Sequence, residues 1–194
     1  MRSTRFAAPR AVRVTAALAG LVALGVSGCT LVHELAHGAP QSRPSGDEGM
    51  LVYTVGRLSF VAPEGWQARG DPRHVLLVSP TDDARIDAQV MERTFPDDAR
   101  CLADAEQALV RGSAKLTKVR RHPSTLAGRK ALAQEADQGR WHGWAWAVCD
   151  GGEQYRLFFT GLSPLKEENV RAVRLLASRA VLLTRTAGLT GEPR

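Results

Sequence analysis

Arg140-Trp141-His142-Gly143-Trp144-Ala145-Trp146-Ala147-Val148-Cys149 changes side-chain character at every step. A period of two is that of a β-strand, whose side chains alternate across the sheet. His142, Trp144, Trp146 and Val148 therefore share one face, and Gly143, Ala145, Ala147 and Cys149 share the other. A Gly/Ala surface lets a helix approach closely, whereas a tryptophan surface fills a core or meets a ligand.

The neighbouring segments fit this strand. Asp150-Gly151-Gly152 is a hairpin turn, and Gln154 to Thr160 is its return strand. Upstream, Lys115 to Arg121 and Arg129 to Glu135 read as two strands separated by Pro123-Ser124 and Gly128. Before them, Pro96-Asp97-Asp98 starts a helix with aspartate as N-cap and negative charge at the positive end of the dipole. Cys101, Leu102, Ala105, Ala108 and Leu109 form its apolar stripe, and Gly112 ends it. This helix is expected to land on the Gly/Ala face and bring Cys101 to Cys149. In an exported chain such a pair reads as a disulfide; two buried free thiols are the alternative.

Toward the N-terminus, Leu51 to Val55 and Leu58 to Val61 read as strands around Gly56, and Pro63-Glu64-Gly65 turns the chain into Trp66. His74 to Ser79 and Ala84 to Val90 are two more strands, separated by a Pro-Thr-Asp-Asp turn. Toward the C-terminus, Ser163 and Pro164 read as the start of a second helix. Its expected buried stripe is Val170, Val173, Leu176, Ala177 and Ala180, with Glu167 and Arg171 as an exposed pair. Strands, helix, antiparallel strands and helix make an α+β chain, a mainly antiparallel sheet with a helix on each face. One such domain is expected over residues 50–184, followed by a flexible tail over 185–194.

Residues 1–28 read as a signal peptide. Arg2, Arg5, Arg10 and Arg13 precede an uncharged apolar run from Val14 to Val26, which is too short to span a bilayer. Removing it leaves 22 basic against 20 acidic residues, so the basic character of the whole chain gives no support to nucleic-acid binding. Val26-Ser27-Gly28-Cys29 resembles the lipobox of bacterial lipoproteins. That resemblance implies cleavage before Cys29 and acylation of its thiol, palmitate being a usual chain; an ordinary secretory signal is the alternative. Residues 29–49, rich in Gly, Pro and Ser, are expected to be a lipidated end and a solvated tether. By resemblance to lipoprotein sorting in enteric bacteria, Thr30 in place of aspartate points to the outer rather than the inner membrane, at its periplasmic face.

Leu58-Ser59-Phe60-Val61-Ala62-Pro63-Glu64-Gly65-Trp66 resembles the opening hairpin of the PsbP-like and Mog-like α/β/α sandwich group, which includes DcrB-type lipoproteins. Leu126 to Ala131, the long hairpin and the closing helix follow the same order. The resemblance implies a sandwich fold and an interaction module with an envelope protein partner. It transfers no catalytic residue and implies no cofactor.

Two sites remain to weigh. His33-Glu34-Leu35-Ala36-His37 matches the pattern in which two histidines one helical turn apart hold zinc and the glutamate activates water. It begins four residues after Cys29 and is stopped by Gly38 and Pro40, and the Gly-x-x-His continuation is missing. A solvated linker is the plainer reading, with His33 and His37 as weak metal ligands and a zinc peptidase as the enzymatic alternative. His142, Trp144 and Trp146 are either core bulk or a ligand patch, with Arg140 and Trp141 as its rim. The sequence thus points to a lipid-anchored, non-catalytic binding or assembly module of the envelope, with small-ligand carriage on the tryptophan face as a further alternative.

Overall fold

The computed structural model describes residues 40–184. In chain order its strands are β1 (Ser42–Pro44), β2 (Met50–Val55), β3 (Leu58–Pro63), β4 (Gln67–Asp71), β5 (His74–Val78) and β6 (Ala84–Thr94). Helix α1 (Asp98–Gly112) follows, then β7 (Thr117–Leu126), β8 (Arg129–Gln138), β9 (Trp141–Asp150) and β10 (Glu153–Leu162). Helix α2 (Glu167–Ser178) and a short β11 (Val181–Leu182) complete it. The fold is α+β with antiparallel pairing throughout.

The strands divide between two sheets rather than forming one. Seven make a sheet in the order β4-β5-β6-β10-β9-β8-β7, and four make a smaller one in the order β1-β2-β3-β11. Side-chain alternation reports which face of a strand is wet, but not which strand its backbone pairs with. In the large sheet Trp146 stands opposite Leu157 and Ala133, and Ala145 opposite Phe158 and Gln134. One face carries Ile86, Leu157, Phe159, Trp146 and Val148, which share a core with Leu58 and Phe60 of the small sheet. Ala172 and Leu176 of α2 join that core, while α1 packs on the other face, against β8, β9 and β10. Helix α1 therefore covers one face of the seven-stranded sheet, and the small sheet together with α2 covers the other.

Several local expectations are corrected. Within the tether expected over 29–49, Ser42–Pro44 are ordered, because β1 pairs with β2. All three β1 side chains are exposed. Backbone hydrogen bonds hold them, and composition does not register those. Asp47 also meets Arg179 (3.1 Å), and the Glu48 carbonyl accepts from Arg171 (3.0 Å). Pro123 does not divide two strands but lies inside β7, which is the sheet edge, where a missing N–H costs no ladder bond.

Helix α2 begins at Glu167, three residues beyond Pro164, and Lys166 caps it without a side-chain hydrogen bond. Of the expected stripe, Leu176 and Ala180 are buried and Val173 and Ala177 pack against the core, but Val170 is 36% exposed and Asn169 and Ala172 are buried in addition. The Asn169 Oδ1 atom has no hydrogen-bond partner. Arg171 reaches Glu48 instead of Glu167. After Ala180, Val181 and Leu182 pair with Ser59 and Leu58.

Candidate functional site

Helix α1 is fixed most firmly over its N-terminal half. Asp97 caps it by accepting from the Arg100 N–H (2.8 Å). Cys101 is bonded to Cys149 of β9, as the small-residue face of that strand suggests. Buried Gln154 donates through Nε2 to the Cys101 carbonyl (3.1 Å). At the β9–β10 turn, the Gly152 N–H donates to Asp98 (2.9 Å) and the Gly152 carbonyl accepts from Phe95 (2.9 Å). The C-terminal end rests on a different support: Arg121 of β7 donates to Ser113 (2.5 Å) and to Gln134 of β8 (2.7 Å).

Between these supports lies a cavity of about 290 Å³. Its roof is Ala108, Leu109 and Gly112 of α1, and its floor includes Ala136, Gly143 and Ala145. The close helix approach expected on this face is thus realised near Ala147 and Cys149 and not near Gly143. Ala108 and Gly112 face Ala136, Gly143 and Ala145 across that end, so no side chain of these five fills the gap. Gly112 and Gln138 are exposed lining residues and mark the mouth, beside Trp141. Arg85 lies over the Trp141 ring at 5.6 Å, a cation–π contact that orients it.

Register places the inner end. Along β10, Leu162, Thr160, Phe158 and Arg156 stand opposite Trp141, Gly143, Ala145 and Ala147 of β9. Arg156 is therefore the lining residue nearest the disulfide, and Trp141 the farthest. The guanidinium is half-buried, and its Nε donates to Gln154 Oε1 (2.7 Å). Burial holds Arg156 below the ordinary guanidinium value; Asp104 opposes that shift and Arg111 adds to it. No carboxylate of the described residues lies within ion-pair distance of it, and Asp104 is engaged by Arg93 (3.3 Å).

Of the residues singled out from the sequence, Trp144 lines this cavity, while His142 and Trp146 do not. Trp146 is 8% exposed and belongs to the core. Trp144 meets Phe159 edge-on at 5.9 Å and His142 at 4.3 Å. His142 is held between Asp137 (2.5 Å) and Glu135 (3.0 Å). His142, with Lys118 beside it, keeps the Asp137 carboxyl below the usual carboxylate range. Trp146 is thus core bulk and His142 is ion-paired, while Trp144 reaches the cavity wall beside Trp141 of the opposite parity. The signal that could have found the cavity is the coincidence of Gly/Ala on β9 with Ala108 and Gly112 on α1.

Cys29, the segment read as a signal peptide, and His33, Glu34 and His37 lie outside the described residues. Among the described residues, no group of three or more His, Cys, Asp or Glu side chains is placed to hold a metal ion.

No family model matches the chain, and no curated protein matches it. Among solved structures it is similar to the cyanobacterial PsbP (CyanoP) of Synechocystis sp. PCC 6803, with TM-score 0.47 and 14% identity over 73% of this chain and 97% of that one. It is also similar to LpqN of Mycobacterium tuberculosis, described as involved in cell envelope biogenesis. The TM-score there is 0.46, with 15% identity over 78% of this chain and 95% of that one.

Proposed function

We propose that this chain is a non-catalytic binding module of the bacterial envelope. Acylated Cys29 holds it at the membrane, the outer one by the residue that follows, and the cavity beneath α1 holds a small, largely apolar molecule. The PsbP-like or DcrB-type character of the opening hairpin fits an interaction module, whose protein partner would meet the body that the anchor positions. The cavity carries the reading: it is apolar for most of its wall, near the small end of ordinary ligand-site volumes, and already open without a ligand. The groups around it show no nucleophile aligned with a base.

Two measurements test this. Intact mass of the mature product should show diacylglycerol and acyl groups on residue 29; an unmodified cysteine or a retained leader refutes the anchor. A neutral amphiphile such as 4-phenylbutyramide should bind saturably, read by tryptophan emission because Trp141 lines the cavity. Ala108→Leu, which fills the roof at little cost in helix propensity, should abolish that binding. Absence of binding in the unaltered chain, or equal binding in the variant, would refute the cavity as the site.

A further inference from the structure

We infer that the cavity beneath α1 selects a small organic monoanion, a carboxylate on a hydrocarbon body, with Arg156 as the headgroup partner and Trp141 at the far end of the ligand. This rests on the cavity being a ligand site and adds the chemistry it recognises.

The charge follows from Arg156. It is the only charged side chain among the lining residues described. Nε is committed to Gln154, but the two terminal nitrogens have no hydrogen-bond partner among the described residues. A guanidinium has five N–H donors and no acceptor, so several remain unused. They are half-buried and within reach of solvent, so they are open to a ligand that enters the cavity. The group is also prepositioned: Arg156 is fixed by Gln154, and Gln154 by the Cys101 carbonyl beside the disulfide. A prepositioned fork loses little freedom when a planar oxyanion docks on it bidentately. A single lining cation balances one negative charge, which favours a carboxylate over a phosphate dianion. Gln134, the next polar group of the wall, is already engaged by Arg121.

The body follows from size and wall. An apolar cavity of ~150 Å³ accepts benzene, so 290 Å³ has room for roughly twelve non-hydrogen atoms by proportion. Ala136, Gly143, Ala145 and Phe158 supply an apolar floor along the line from Arg156 to Trp141. A carboxylate at the inner end leaves the hydrocarbon against that floor.

The experiment compares 4-phenylbutyrate with 4-phenylbutyramide, equal in size and differing in charge, on the full chain at pH 7. The carboxylate should bind about tenfold tighter or more, as a charge-assisted bidentate pair implies. Arg156→Gln should remove that preference, while Arg156→Lys should keep part of it. Equal affinity for the two probes in the unaltered chain overturns the inference but leaves the cavity standing as a site. A preference that survives Arg156→Gln overturns the assignment to Arg156. If neither probe binds, the ligand-site reading fails and the inference with it.

Discussion

Replacing Cys101 and Cys149 together by alanine isolates the largest single tie on α1. The two residues are 48 apart in sequence, and closing a loop of that length in the unfolded chain corresponds to about 4 kcal/mol at 25 °C in the chain-entropy model, an upper figure. For a folded body of this size, each kcal/mol shifts the melting temperature by about 2–4 °C, so the variant should melt roughly 8–16 °C lower. The loss should fall on the whole body rather than on α1 alone. The Asp97 cap, the Gln154 contact and the Gly152 contact still hold the helix N-terminus when the sulfurs are gone. Urea unfolding followed by tryptophan emission gives the global value, and hydrogen exchange of the α1 amides gives the local one. Reduced unaltered protein should coincide with the variant. A global loss below about 1 kcal/mol would refute the chain-entropy account. Selective loss of protection in residues 98–106, with the sheet unchanged, would show the bond to be a local clamp instead.

Gln154→Leu removes the contact that the Cys101 carbonyl makes beyond its helix bond and leaves half-buried Arg156 Nε without its partner, and should cost about 1 kcal/mol in urea unfolding; a neutral result would mean water replaces both contacts. Gly152→Ala should be severe, because φ is +79° and a Cβ would stand 2.0 Å from the Phe95 carbonyl oxygen. A melting temperature within 2 °C of the parent, a fall of about 1 kcal/mol or less, would refute that geometry. Asp83 is paired with Lys166 (2.5 Å) and accepts from Ser79 (2.8 Å), so its carboxyl titrates below the usual carboxylate range, the Lys166 contact being the larger cause. A folded-state value below the unfolded one contributes stability that is present above about pH 4 and is lost as pH falls through the folded value. Asp83→Asn should flatten the acid limb of the stability profile; an unchanged limb would refute the assignment.

Strand β9 and the turn after it were legible because they rest on local rules. Alternation set the faces, Gly151-Gly152 supplied two positive φ values (61° and 79°), and Asp97 capped the helix that carries Cys101. The features missed depend on partners distant in sequence. The division into two sheets and the docking of β1 are backbone pairings, and Pro123 is tolerated only because of where β7 lies. In helix α2 Asn169 faces inward and Val170 outward, which no count of apolar residues distinguishes. The cavity was hidden for a different reason. Gly143 and Ala145 permit contact or a gap equally well, and the choice lies in Ala108 and Gly112 across from them and in the Arg121 prop.

The large apolar side chains of the core stand on the side of the seven-stranded sheet away from the cavity. Structural integrity and guest accommodation are thereby separated by a single layer of backbone. Enlarging or narrowing the chamber through positions 108, 136 and 145 should alter which guests fit while the melting transition stays governed by the far-side core and the Cys101–Cys149 bond. The scaffold is in that sense retunable: its recess can be recut without relaying its foundation.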